Sequence, residues 1–182
     1  MLAQKERQDV AQRRKAPGRR RRAANSTASA ESRTSLFARP GFLLRRLHQI
    51  HYAIWFEECA DFDITPVQYG LLTTLLTTPD LDQNSICREL GIDRTNVADV
   101  VGRLARRGWI ERRRSREDKR MMLARLTPAG RRVTEEMYSA MQGAQDRLLA
   151  PLPPRERKAL IASLMRLLEA NNHLGRTIFS PS

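Results

Sequence analysis

The stretch DQNSICRELGIDRTNVADVVGRLARRG, residues 82–108, decides the fold. Its spacing predicts two short helices joined by a tight turn. Ser85 to Leu90 places Ile86 and Leu90 inward, and Gly91 is suited to end that helix in the left-handed region. Ile92 packs, Asp93 is placed to cap, and a second helix is expected from Arg94 to about Arg107. Val97, Val100, Val101 and Leu104 recur at helical spacing and form its apolar face. Thr95, Asn96, Asp99 and Arg103 fall on the opposite face. Two short helices with a glycine in the turn, the second presenting polar groups near its N-terminus, describe a helix-turn-helix. An α-helix fits the DNA major groove, where residues at its N-terminal end reach base edges. Arg94, Thr95, Asn96, Asp99 and Arg103 are therefore candidate DNA contacts, with Asn96 suited to adenine and Arg103 to guanine or a phosphate. DNA repels a carboxylate, so Asp99 is expected to orient Arg103 or to accept from cytosine. On this segment alone, an ordinary amphipathic surface helix stays open.

The residues that follow favour the DNA-binding reading. Trp109 to Arg113 reads as a short strand, Ser115 to Arg120 as a charged turn, and Met121 to Leu126 as a returning strand. A helix-turn-helix followed at once by a basic hairpin is a winged helix. Between Arg88 and Arg132 there are 14 basic and 6 acidic residues, so positive charge gathers on this one module. Arg116, Lys119 and Arg120 at the hairpin tip are candidates to enter a minor groove, whose narrow A/T tracts attract arginine. Asp118 is expected to brace Arg120 rather than touch DNA.

Working outward, Thr65-Pro66-Val67-Gln68 announces a helix with a capping box and a proline at its first position. Tyr69, Leu72, Leu75 and Leu76 are expected inward from it. Upstream, Phe42 to Ala60 carries Leu43, Leu47, Ile50 and Ile54 on one stripe. Downstream, Thr127-Pro128 starts a long amphipathic helix expected over 131–149, with Val133, Met137, Met141 and Leu148 inward. Pro151, Pro153 and Pro154 interrupt the chain, and Ala159, Leu160, Leu164, Leu167 and Leu168 mark a final helix. The expected fold is mainly α with a small β wing: a winged helix-turn-helix over 63–128, flanked by dimerisation helices at 36–62 and 129–178. Apolar faces on such flanking helices suit burial across a two-fold axis.

Composition fits this organisation. The 182 residues hold 33 Lys and Arg against 20 Asp and Glu, a formal net charge of +13, which suits a polyanionic partner. Ten basic and three acidic residues with few large apolar ones fill residues 1–35. That segment is expected to be a disordered basic tail. It reads equally as an arm adding phosphate contacts or as a solvated leader. No stretch approaches the roughly 20 apolar residues of a membrane span, and the N-terminus lacks a secretory h-region. Cys59 and Cys87 show no metal-ligand spacing and read as buried packing residues of a reducing cytoplasm, with thiol sensing as the alternative.

The runs Leu104-Ala105-Arg106-Arg107-Gly108-Trp109-Ile110, Asp118-Lys119-Arg120 and Leu126-Thr127-Pro128-Ala129-Gly130 together resemble the MarR family. Their order and spacing extend the resemblance over roughly residues 40–170. It implies a homodimeric winged-helix regulator on a pseudo-palindromic operator, usually a repressor, released by a small phenolic or aromatic ligand. By that resemblance Thr95, Asn96 and Arg103 match positions facing bases or phosphates, Arg120 the minor-groove arginine, and Asp118 its brace. The opening Arg39-Pro40-Gly41-Phe42-Leu43-Leu44-Arg45-Arg46-Leu47 is similar to regulators of aromatic-acid catabolism in the family.

A candidate effector site gathers Arg46, His48, His51, Tyr52 and Trp55 on the first helix with Tyr69 on the next. Such rings stack on an aromatic ligand and hydrogen-bond its carboxylate or hydroxyl; packing in the core or dimer is the plainer role. Metal sensing would draw on Glu57, Glu58, Cys59 and His173, and neither a metal nor another cofactor is expected. A non-specific architectural DNA-binding protein is the rival function. No phosphate-binding Gly-rich loop, H-E-x-x-H or G-x-S-x-G motif is present, so an enzyme is not expected.

Overall fold

The computed structural model describes residues 37–175 and 177–180; the basic segment 1–35 lies outside them. The chain divides into two compact units, Met1–His48 and Gln49–Ser182. In the first, the described residues begin helix α1 (Pro40–Glu58). There Phe37 meets Phe42 edge-on at 5.4 Å, and the Arg45 guanidinium lies 5.4 Å from the Phe42 ring. Leu43, Leu44 and Leu47 are exposed.

The second unit carries the winged helix. Its elements after α1 are α2 (Pro66–Thr77), β1 (Leu81–Asp82), α3 (Gln83–Leu90), α4 (Arg94–Arg106), β2 (Ile110–Arg114) and β3 (Met122–Leu126). Helices α5 (Pro128–Glu136), α6 (Tyr138–Leu149) and α7 (Pro154–Asn171) follow. The strands form an antiparallel sheet in the order β1-β3-β2, with Ile110 opposite Leu126 and Arg114 opposite Met122. The core joins Trp55 of α1, Leu71, Leu72 and Leu75 of α2, Ile86 of α3, Val97, Val101 and Leu104 of α4, Ile110 of β2 and Met137. The Trp55 indole N–H would be costly to bury unpaired; it donates to the Ile64 carbonyl at 2.7 Å.

Local chemistry sets the helix starts. Thr65 and Gln68 form the expected reciprocal capping box, and Asp93 accepts from Asn96 N–H at the start of α4. Gly91 ends α3 at φ 64°. Helix α3 begins before the expected Ser85 because Asp82 caps it, accepting from Asn84 and Ser85 N–H. Two-residue β1 was not anticipated, since it is too short to show a period. The helix expected over 131–149 is instead α5 and α6, meeting at fully buried Met137. Met137 keeps φ −70° and ψ −15°, close enough to helical that the apolar period runs through the join. Leu71 is buried where Leu76 was expected; Leu76 and Leu148 are only half-buried.

Two sets of contacts hold the wing to the body. At its root, Thr127 N–H donates to the Trp109 carbonyl (3.0 Å), and the Thr127 hydroxyl donates to the Gly108 carbonyl (2.7 Å) while accepting from Gly130 N–H (3.0 Å). The approach is so close that a Cβ on Gly130 would stand 1.9 Å from the Trp109 oxygen. Farther out, Asp80, at φ 62°, accepts paired hydrogen bonds from Arg113 (3.0 and 2.6 Å) and Arg125 (2.9 and 2.6 Å). At the C-terminus, the Asn172 amide exchanges hydrogen bonds with the Phe179 backbone, and Ser180 N–H donates to the Arg88 carbonyl. This returns the chain beyond α7 to the end of α3.

Replacing Gly130 with alanine forces backbone apart at the wing root. The expected loss is about 3 kcal/mol, on the order of 10 °C in Tm, measured by thermal unfolding. The Asp80 clamp is expected to be pH-sensitive. The hydrogen bond from Arg125, supported by Arg113 and opposed by burial, holds its carboxyl below the usual carboxylate range. A depressed folded-state value gives stability that is full above the unfolded carboxyl range and lost as pH falls through the lower folded value. Asp80→Asn is expected to cost about 1 kcal/mol at neutral pH. Its difference from wild type should vanish in urea titrations carried well below about pH 4.

Candidate nucleic-acid interface

Helix α4 buries Val97, Val101 and Leu104 against the core. Its other face is left in solvent, where Arg94, Thr95, Asn96, Asp99 and Arg103 are all exposed. Capping positions the first turn: Asn96 N–H donates to one Asp93 oxygen (3.0 Å) and its side-chain amide to the other (2.7 Å). The amide oxygen therefore points from a fixed group. Asp99 bonds Arg103 at 2.8 Å, one helical turn away. The pair sets the Asp99 carboxylate against the Arg103 guanidinium on the exposed face.

The wing tip is a built turn. Ser115 Oγ accepts from Glu117 and Asp118 N–H, Ser115 N–H donates to the Met121 carbonyl, and Met121 N–H donates to the Asp118 carbonyl. Asp118 Oδ1 accepts from Arg120 N–H at 2.9 Å. Asp118 thus holds the backbone of Arg120. Arg116, Lys119 and Arg120 are exposed around this turn.

A cleft of about 300 Å3 brings Arg94 of α4, Arg112 of β2 and Arg120 of the wing together beside Gln83 and Asn84. The Gln83 amide donates to the Arg94 carbonyl at 2.8 Å, tying the start of α3 to the start of α4. Sequence reasoning missed Arg112, Gln83 and Asn84. Alternation gave no signal for Arg112, since it places that residue on the face of buried Ile110. A second cleft, of about 370 Å3, lies at the other end of α4, lined by Phe56, Asp63, Ile64, Thr65, Gln68, Arg103, Arg106 and Arg107. Arg107 is fixed there. Its guanidinium donates to the Asp63 (2.6 Å) and Phe62 (3.0 Å) carbonyls and lies 3.9 Å from the centre of the Trp109 ring.

The residues singled out for an effector fall in two groups. Arg46 and His48 lie on the part of α1 in the first unit, where both are exposed. In the second unit His51 meets Tyr52 (6.0 Å between ring centres) and Trp55 (6.2 Å), and Trp55 meets Tyr69 (5.6 Å). His51 and Tyr52 are half-buried, whereas Trp55 and Tyr69 belong to the core. Both cysteines are buried, and that burial pushes their thiols up, Glu58 adding to the effect at Cys59. A raised thiol carries little of the reactive thiolate. Among the described residues no cluster of three His, Cys, Asp or Glu is placed for a metal, and no helix is long and apolar enough to cross a membrane.

Residues 62–121 match the profile of the MarR family. A transcriptional regulatory protein named for the hcr operon of Thauera aromatica is 31% identical over 104 residues, covering 57% of this chain and 63% of that protein. The PcaV transcriptional regulator of Streptomyces coelicolor, solved with its natural ligand, is 35% identical with a TM-score of 0.68, over 74% of this chain and 95% of that one. BpsR of Bordetella bronchiseptica, whose DNA binding is regulated by 6-hydroxynicotinic acid, is 29% identical with a TM-score of 0.68, over 71% and 92%. With an exposed recognition helix, a basic wing and these relatives, the chain belongs to the MarR family of DNA-binding winged-helix transcription regulators, which are not enzymes.

Proposed function

We propose that this chain is a cytoplasmic repressor that binds a pseudo-palindromic operator as a homodimer and releases it when a small aromatic carboxylate or phenol binds. The observation that carries the DNA half is the cleft shared by Arg94, Arg112 and Arg120. With three arginines against one carboxylate, Asp82, it gives the recognition helix and the wing a shared surface of net positive charge, as a duplex with adjoining major and minor grooves requires. In this reading Thr95, Asn96 and Arg103 meet the major groove and Arg116, Lys119 and Arg120 the wing-side backbone and minor groove. Asp99 orients Arg103, and Asp118 fixes the backbone that carries Arg120. The homodimer reading rests on α7, which buries none of its residues and exposes Ile161, Leu164, Met165, Leu167 and Leu168. An apolar row of that kind is covered in a partner.

The effector half is supported by the relatives, one solved with its natural ligand and one regulated by a hydroxylated pyridine carboxylate. Half-buried His51 and Tyr52 offer stacking surface and hydrogen-bonding groups for such a molecule, with Trp55 and Tyr69 of the core packed behind them. The buried, raised thiols give the thiol-sensing alternative no support.

Footprinting on the DNA upstream of its own gene, with excess competitor, is expected to show a protected pseudo-palindrome with half-site centres about 34 Å apart. Diffuse protection that competitor removes would instead indicate an architectural protein. On that operator Arg103→Ala and Arg120→Ala are each expected to cost about 1–3 kcal/mol in gel shifts, and unchanged affinity in both would overturn the docking. A panel of hydroxylated aromatic acids should contain one that raises Tm by several degrees, as about 2.7 kcal/mol of linkage at a hundred times Kd implies. The same compound should release the operator; a panel that does neither removes the effector class.

A further inference from the structure

The second cleft lies along the same helix face as the proposed base contacts. Thr95, Asp99, Arg103 and Arg106 follow one another at spacings of four, four and three residues, which stacks them in one stripe. Helix α4 has 13 residues, so it is about 20 Å long, and Arg106 stands about 15 Å beyond Asn96 along its axis. The major groove is only about 12 Å wide. If the first turn of α4 reads base edges, its last turn has left the groove and faces a sugar–phosphate strand.

The charges at that end are unequal in role. Arg107 is held by the Phe62 and Asp63 carbonyls and by the Trp109 ring, and Arg103 is paired with Asp99. The Arg106 side chain is exposed and makes no hydrogen bond or ion pair with the described residues. The one carboxylate lining the cleft, Asp63, is 98% exposed and lies 3.8 Å from Arg107, leaving Arg106 uncompensated. Arg103, Arg106 and Arg107 outnumber Asp63 in the lining, and that surplus of positive charge attracts an anion.

We infer that this cleft seats one backbone phosphate of the operator in each half-site, with Arg106 as its donor and fixed Arg107 setting the positive field around it. The inference rests on the proposed docking of α4 in the major groove. It makes Arg106 a clamp that is indifferent to sequence, beside Arg103, which discriminates.

The test is a gel-shift titration across salt concentrations with wild type, Arg106→Ala and Arg106→Lys, on the footprinted operator and on variants with altered half-sites. Arg106→Ala is expected to bind roughly tenfold more weakly, as for a lost charge-assisted contact, and by the same factor on every sequence. The slope of log K against log salt should fall by about 0.9 for each phosphate released, or about two per dimer. Arg106→Lys should restore the slope, and Tm should match wild type in both variants. A single neutral methylphosphonate beside each half-site should weaken wild type but leave Arg106→Ala unaffected. Wild-type affinity and slope in Arg106→Ala would overturn the inference, as would a loss confined to particular base sequences or one that adds fully to the methylphosphonate effect. If Arg103→Ala and Arg120→Ala weaken binding while Arg106→Ala does not, this inference alone fails. If none of the three does, the docking beneath it fails as well.

Discussion

The close approach between Gly130 and the Trp109 carbonyl is the constraint on which the DNA-facing geometry depends. At that point the end of the recognition helix, the first wing strand, the return strand and the start of α5 are brought within a few ångströms of one another. Thr127 serves as cap and crosslink there, accepting from Gly130 and donating to Gly108. No side chain fits between the two backbones. The run Leu126-Thr127-Pro128-Ala129-Gly130 is therefore more than a family signature. Threonine supplies both hydrogen bonds, proline suits the first helical position, and glycine removes the atom that would force α5 away from the Trp109 carbonyl. With the root fixed, the angle between wing and recognition helix is a property of the fold.

Acidic residues in this basic module repeatedly serve arginines and backbone N–H groups. Asp80 gathers Arg113 and Arg125, Asp99 holds Arg103, Asp118 fixes the backbone at Arg120, and Asp93 caps α4. Each carboxylate lowers net attraction to a polyanion a little. In exchange a long side chain or a turn loses freedom before DNA arrives, and ordering that is already complete is not charged to binding. The surplus of cations over acids on the module leaves room for this arrangement.

Features fixed by neighbours in sequence were legible from it. The capping box at Thr65, the αL glycine at Gly91, the Asp93 cap and the four-residue pair Asp99–Arg103 each depend on chemistry within one turn, and each is found where the residues implied. The interactions that escaped prediction span the chain. Asp80 reaches Arg113 and Arg125 across 33 and 45 positions, and Arg107 reaches the Phe62 and Asp63 carbonyls across 45 and 44. No period marks a partner at that distance. Strand β1 fails for the opposite reason, since two residues carry no alternation. The join at Met137 was invisible because its backbone stays near helical and its side chain continues the apolar stripe.

The chain contains two tryptophans, and the fold gives them different surroundings. Trp55 is sealed in the core with its N–H on the Ile64 carbonyl. Trp109 is half-buried under the Arg107 guanidinium, at the junction of recognition helix and wing. Indole emission follows local polarity and charge, so the molecule carries a built-in pair of optical reporters. One signals when the core opens, and the other when the joint that aims the wing is disturbed. A local rearrangement at the DNA-facing end and a global loss of structure thus have separate spectral signatures without any added label.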